Sequence, residues 1–173
     1  MTEYATALTE DTVRLVRDLP GPVEKIWAYL TESDKRETWL ARGPMDLHVG
    51  GMVELTWEND RLSHDDIPTP EKYAHRKVDT MTGKIVECDP PHRLSFTWGW
   101  PEGSLVTFEL TPRGERVELV VTHSRLPDRP NKLGVSGGWH THLGLLEDIL
   151  SGRPTRPFWK TFTRLEKEYE ERM

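Results

Sequence analysis

Tryptophan and histidine side chains are the residues of this sequence best suited to holding a flat, apolar molecule. Seven Trp outnumber the four Tyr and the four Phe. An indole ring offers a large apolar face and one N–H donor, which suits the wall of a pocket or an irregular core. A histidine three residues after a tryptophan on a helix would add one polar anchor. We expect the ligand-binding residues to be Trp57, Trp98, Trp100, Trp139, His142 and Leu146.

The alternative to ligand binding is that the same aromatic rings pack into an ordinary core. A pocket lined by large side chains and a core filled by them show the same pattern in a sequence.

Catalytic sequence motifs do not indicate a particular class of enzyme. The sequence has no nucleophile-elbow serine, P-loop, dinucleotide fingerprint or HExxH zinc motif. A histidine in a dry cavity can serve as a general base, so an enzyme using His142 or His123 stays open, although we assign no catalytic residue.

Histidines that are close in sequence raise the question of a metal site. His140 and His142 are two residues apart, so on a helix they point about 200° apart and cannot share one metal ion. A second group of nitrogen and oxygen donors matches no established metal-binding spacing; it comprises His64, Asp65, Asp66 and His75. We therefore expect neither a metal nor a cofactor.

Length, charge and cysteine content exclude several classes of protein. The 173 residues suffice for one domain with a sizeable core. A formal net charge of -6 argues against nucleic acid as the main partner. No apolar stretch reaches the length of a membrane helix, so we expect no membrane partner. The single Cys88 and a polar start without the features of a secretory signal favour the cytoplasm.

Alternating apolar and polar residues predict an antiparallel sheet. Residues 1–11 show little periodicity and are expected to form a mobile leader before a single domain over residues 12–173. A first strand and two short helices are followed by several strands joined by short turns, which end near His123. A long surface loop over residues 60–76 interrupts them, because it has two prolines, many charges and no period.

A change of apolar period from two to about 3.6 beyond Pro130 predicts one long helix that ends near Gly152. A helical extension is expected over residues 155–172. One face of the twisted sheet is apolar and has to be shielded from water. The long helix is the apolar element available to cover it. The sequence thus predicts an α+β helix-grip fold.

Three stretches carry a resemblance to a known family. They are DLPGPVEKIWAYLTESDKRETWL at 18–40, GKIVECDPPHRLSFTW at 83–98, and Gly138-Trp139 with Leu143 and Leu146. Over about residues 12–152 the chain resembles the START-like (SRPBCC) superfamily, and within it the branch similar to the C-terminal domain of the activator of Hsp90 ATPase. The resemblance implies a deep cavity between the sheet and the long helix. It implies no single chemistry, because the superfamily includes ligand binders, cyclases and cochaperone domains.

Three hypotheses for the function follow, in order of preference. The first is binding of a small hydrophobic or aromatic ligand in the internal cavity. The second is a protein-binding module resembling the Hsp90 cochaperone domain, with a protein partner or a second copy of the chain. The third is an enzyme resembling the cyclases of the superfamily, with a pocket histidine as acid or base.

Overall fold

One antiparallel sheet and two C-terminal helices make up most of the computed structural model, which describes residues 3–173 apart from the side chain of Arg76. The strands are β1 (Thr6–Thr9), β2 (Thr12–Pro20), β3 (Met52–Trp57), β4 (Asp79–Asp89), β5 (Arg93–Trp98), β6 (Ser104–Arg113) and β7 (Arg116–Ser124). The helices are α1 (Val23–Thr31), α2 (Ser33–Arg36), α3 (Arg129–Leu150) and α4 (Phe158–Arg172). The sheet order is β1-β2-β7-β6-β5-β4-β3. The predicted α+β helix-grip fold is confirmed.

Alternation along the strands gives the sheet its dry face. In β2, Val13, Leu15 and Leu19 are buried, whereas the residues that alternate with them on the opposite face are exposed or half-buried. Arg17 interrupts this apolar face, and its Nε lies 2.9 Å from Oε1 of Glu147 on α3. The ion pair therefore joins the sheet to the long helix within a largely apolar interface.

Helix α3 lies across the dry face of the sheet. Its first turn is capped by Asp128, whose carboxylate accepts a hydrogen bond from the backbone N–H of Asn131 at 2.9 Å. The chain leaves the helix at Gly152, which has a positive φ of 70° that favours glycine. Trp139 and Leu146 of α3 are buried in the core together with Phe108 of β6. These side chains fill the space between the sheet and α3.

A buried arginine orders the segment after α2. The Arg36 guanidinium donates to the main-chain oxygens of Leu30 at 3.2 Å and Ala41 at 3.1 Å, and also to that of Gly43. The indole Nε1 of Trp39 donates to the carbonyl of Tyr29 at 2.9 Å. The segment thus packs against α1 and holds the main chain of Trp39 in a fixed position.

The N-terminal segment differs from the mobile leader expected over residues 1–11. Residues Thr6–Thr9 form β1 and pair with β2, with Thr6 opposite Arg14. All four residues of β1 are exposed, so the strand leaves no apolar alternation in the sequence. Residues 1 and 2 of the expected leader lie outside the described part of the chain.

The long loop and the C-terminal extension both contain helical structure. The loop expected over residues 60–76 includes a 3-10 turn at Asn59–Arg61 and a second at Glu71–Arg76. Helix α4 occupies most of the extension expected over residues 155–172. Within residues 3–173, no helix combines the length and the apolar character needed to cross a membrane.

Candidate functional site

A cleft of about 490 Å³ opens where the ends of β3, β4 and β5 meet α3, α4 and the long loop. This volume lies in the range of roughly 300 to 1,000 Å³ that is usual for small-molecule sites. We call it the tryptophan cleft; its lining residues are Trp57, Asn59, Tyr73, Lys77, Asp79, Thr80, Met81, Trp98, His142 and Trp159. The open space thus lies at one end of the sheet, whereas the centre of the fold is filled.

Three indole rings form a continuous row from the cleft into the core. The ring centres of Trp57 and Trp98 are 5.4 Å apart, and those of Trp98 and Trp139 are 5.3 Å apart. Trp57 and Trp98 are half-buried at the ends of β3 and β5, while Trp139 on α3 is buried. Two of the four expected ligand-binding tryptophans therefore line the cleft, and a third, Trp139, packs behind Trp98.

His142 lines the tryptophan cleft with its imidazole ring. Its Nδ1 lies 2.8 Å from the carbonyl oxygen of Trp39, and its ring centre lies 5.1 Å from that of Phe158. Burial lowers the pKa of His142 to about 4, because a charged ring would lose its hydration. The histidine is therefore neutral at pH 7.

His123 is buried beneath the row of indoles, and both of its ring nitrogens have partners. The indole N–H of Trp139 donates to Nδ1 at 3.0 Å, so Nε2 carries the proton and donates to Oγ of Ser104 at 2.6 Å. Burial lowers the pKa of His123 to about 4. The imidazole thus connects β6, β7 and α3, and no ring nitrogen is left to act on a ligand.

An aromatic wall from the long loop and α4 completes the cleft. The rings of Tyr73 and Trp159 are stacked with their centres 5.5 Å apart, and the indole N–H of Trp159 donates to Oδ1 of Asp60 at 2.8 Å. The hydroxyl of Tyr73 donates to Glu166 of α4, and Nζ of Lys72 donates to the same carboxylate at 2.7 Å. These contacts hold the loop against the helix.

Seven lining residues of the cleft were not predicted from the sequence: Asn59, Tyr73, Lys77, Asp79, Thr80, Met81 and Trp159. Tyr73 and Trp159 are separated by more than eighty positions along the chain, and Tyr73 lies in a stretch without any period. The only signal was the presence of the long loop over residues 60–76 and of the expected helical extension over residues 155–172, which contain Tyr73 and Trp159. Which residues of these two segments face the cleft depends on tertiary packing.

Three of the expected ligand-binding residues lie outside the cleft. Trp139 and Leu146 are core residues, 3% and 0% exposed. Trp100 is 46% exposed and faces Nζ of Lys84, which lies 4.3 Å from the centre of the indole ring. The alternation that grouped Trp100 with Trp98 ends there, because β5 stops at Trp98 and Gly99, with a φ of 113°, turns the chain.

The histidines considered for a metal site point to different neighbours. Nδ1 of His140 is 2.9 Å from the hydroxyl of Tyr169 on α4, whereas Nδ1 of His142 faces the carbonyl of Trp39. Within the described residues, no three His, Cys, Asp or Glu side chains are grouped as a metal site requires.

Comparison with known proteins identifies relatives of the whole fold. The family described as Activator of Hsp90 ATPase homolog 1-like protein matches residues 20–151. The protein encoded by gene BPP1335 of Bordetella parapertussis is 38% identical, with a TM-score of 0.83 over 99% of this chain and 91% of that one. CalU16 from Micromonospora echinospora is 19% identical, with a TM-score of 0.67 over 92% of this chain and 86% of that one. Comparison with curated proteins gives no match.

Proposed function

The chain belongs to the family of Activator of Hsp90 ATPase homolog 1-like proteins, in the START-like superfamily, as its resemblance predicted. From this premise we propose that it binds a small hydrophobic or aromatic molecule in the tryptophan cleft. We propose the cytoplasm as the place of this activity, because the lone Cys88 fits a reducing compartment. Because the family hosts several activities, the proposal rests on the site.

One observation carries the proposal: the cleft combines an aromatic wall on both sides with a single buried imidazole. Trp57 and Trp98 stand on the sheet side, and Tyr73 and Trp159 stand on the side of the loop and α4. Aromatic walls with few polar groups are typical of sites for flat, apolar ligands. His142 supplies one polar contact among these rings.

A cyclase-like enzyme is less well supported than a binding protein. His123 has partners on both nitrogens, which leaves none for proton transfer. His142 is oriented by a main-chain carbonyl instead of a carboxylate, and burial lowers its pKa to about 4. A base that is so weakly basic is poorly matched to proton abstraction near pH 7. The geometry of both histidines favours binding over catalysis.

Protein binding is a second candidate function. Exposed apolar side chains around Lys84 favour it. Met52 lies opposite Lys84 in the register of β3 and β4, Trp100 lies beneath Lys84, and Val86 is 48% exposed on the same strand. Light scattering of the wild type and of a Met52→Glu, Val86→Glu double variant tests a homodimer through this surface. A dimer that the double variant abolishes would support it, and a monomeric wild type would exclude a second copy as the partner.

The ligand-binding proposal is tested with N-phenyl-1-naphthylamine, an uncharged probe whose emission rises in apolar surroundings. We expect saturable binding to the wild type. Trp57→Ala removes one aromatic wall and should weaken binding by about tenfold. Trp100→Ala is the matched control, because this exposed indole lies outside the cleft. Absence of saturable binding, or equal affinity of the wild type and Trp57→Ala, would contradict the proposal.

A further inference from the structure

The hydrogen bond of His142 fixes which ring nitrogen can meet a ligand. A carbonyl oxygen only accepts, so the contact of 2.8 Å between Nδ1 and the oxygen of Trp39 requires the proton to be on Nδ1. In a neutral ring the second nitrogen, Nε2, then has a free lone pair. Burial lowers the pKa of His142 to about 4, so this neutral tautomer is the form present at pH 7.

Nε2 of His142 is an acceptor without a donor among the described residues. His142 is 6% exposed, and its bond from Nδ1 is the only hydrogen bond that it makes within that part of the chain. Oδ1 of Asn59, which lines the same cleft, is buried and has no hydrogen-bond partner among the described residues. Nε2 of His142 is not buried in this way and borders the open space of the cleft. With these two acceptors, the cleft is complementary to a molecule that brings a donor.

Charges at the cleft give no preference for a charged ligand. Lys77 and Asp79 both line it, and their formal charges are opposite. His142 adds no charge, and most of the remaining lining is aromatic or apolar. Because the formal charges of Lys77 and Asp79 cancel, the cleft has no net charge to offset the hydration that an ionised ligand would lose on entry.

We propose that the natural ligand is an uncharged aromatic molecule with a hydroxyl or N–H group, which donates a hydrogen bond to Nε2 of His142. The inference rests on the proposed function, since it concerns the same cleft, and narrows it to one class of ligand. The aromatic body packs between Trp57 and Trp159, and the donor points inward. Acceptor-only analogues are disfavoured because their lone pairs face that of Nε2.

Two probes of nearly equal shape test this inference. 2-Naphthol has a hydroxyl donor, and 2-fluoronaphthalene has a fluorine at the same position and no donor. Both are titrated into the isotopically labelled protein, and the indole N–H signals of Trp57 and Trp98 report binding in the cleft. We expect 2-naphthol to bind about tenfold more tightly than 2-fluoronaphthalene, because it forms one additional hydrogen bond within the cleft.

Two variants of His142 test the contributions of its two ring nitrogens separately. In His142→Asn the side-chain amide can still donate to the carbonyl of Trp39, but no acceptor remains at the position of Nε2. In His142→Gln the side-chain oxygen reaches that position and restores an acceptor. The tenfold preference for 2-naphthol should disappear in His142→Asn and persist in His142→Gln, while the affinity for 2-fluoronaphthalene stays similar in both.

The outcomes distinguish the inference from the proposed function. Equal affinities of the wild type for the two probes would overturn the inference and leave ligand binding in the cleft intact. A preference for 2-naphthol that persists in His142→Asn would also overturn it, because the donor would then meet another group. If neither probe shifts the signals of Trp57 and Trp98, both the inference and the proposed function fail.

Discussion

Two buried histidines, His123 and His142, are uncharged in the native protein, but their surroundings give them different roles. His123 has a donor on one nitrogen and an acceptor on the other, so it joins elements of the core. His142 has one partner and turns its other nitrogen toward open space. The same residue type therefore contributes structure in one position and a candidate ligand contact in the other.

Acid should destabilise the protein through these histidines. Burial lowers the pKa of His123 and of His142 to about 4, whereas an unfolded histidine titrates near about 6.5. Between these values the unfolded chain binds protons that the native chain does not, so the free energy of unfolding falls as the pH falls. The loss should reach about 3 kcal/mol per histidine near pH 4.

Urea unfolding at a series of pH values between 7 and 4.5 measures this loss. His142→Asn cannot titrate at that position, so its free energy of unfolding should depend less steeply on pH than that of the wild type. Parallel curves for the two proteins would show that His142 already has an ordinary pKa in the native state.

Arg36 has a structural role, because its side chain holds three main-chain carbonyl groups in place. Its guanidinium donates to the carbonyls of Leu30, Ala41 and Gly43, and it is 1% exposed. Arg36→Met should lower the free energy of unfolding by about 3 kcal/mol, because three buried carbonyls lose a charged donor. Chemical unfolding at pH 7 measures the effect. A change below about 1 kcal/mol would show that water replaces the guanidinium.

At the scale of elements, α3 determines how the other parts meet. One turn of this helix directs Trp139 to the sheet, His140 to α4 and His142 to the segment of Trp39. Each of these three side chains forms a hydrogen bond with a different part of the structure. A change in the position of α3 would therefore alter the core and the cleft together.

Two glycines of α3 should respond oppositely to alanine. A Cβ at Gly144 would lie 2.7 Å from the Arg156 guanidinium, which is bonded to Asp148. Gly144→Ala should displace that side chain and lower the free energy of unfolding by about 1 to 2 kcal/mol. A Cβ at Gly138 meets nothing within 4 Å, so Gly138→Ala should raise it by up to about 1 kcal/mol.

Thermal unfolding of the two alanine variants in parallel measures these effects, with each serving as the control for the other. Stabilisation by both substitutions would show that Arg156 moves aside without losing Asp148.

The loop wall of the cleft depends on one carboxylate of α4. Glu166 accepts hydrogen bonds from Lys72 and Tyr73, which lie in the loop. Glu166→Gln should speed hydrogen exchange of the loop amides and weaken binding of N-phenyl-1-naphthylamine by a few fold, with little change in the melting temperature. Glu171→Gln, on an exposed position of the same helix, is the control. Unchanged exchange in Glu166→Gln would show that the stacking of Tyr73 on Trp159 is sufficient.

At the scale of the whole molecule, the hydroxyl of Tyr169 connects three distant segments. It accepts from the backbone N–H of Ala5 at 2.6 Å and lies 2.9 Å from Nδ1 of His140, to which it donates. Tyr169→Phe should lower the free energy of unfolding by about 1 to 2 kcal/mol, since two buried groups lose their partner. It should also expose the amides of β1 to exchange. Phe162→Leu, which keeps the apolar character of α4, should leave β1 protected.

The fold followed from local patterns, whereas the cleft followed only in part. Periods of two and 3.6 residues are properties of neighbouring positions, so they predicted the sheet and α3. The exposed strand β1 has no dry side and therefore no such pattern. Trp57, Trp98 and His142 were expected at the site because of their type, but Tyr73 and Trp159 reach it through packing between distant segments.

The row of Trp57, Trp98 and Trp139 has an optical consequence. Indole rings whose centres are 5.3 to 5.4 Å apart share their excited states, and their interplanar angles of 58° make that coupling chiral. The protein should therefore show an exciton couplet in its circular dichroism. A guest that rotates Trp57 or Trp98 would change the amplitude of the couplet while the backbone signal stays constant. The circular dichroism of the unlabelled protein would thus report ligand binding in the cleft, both at equilibrium and during rapid mixing.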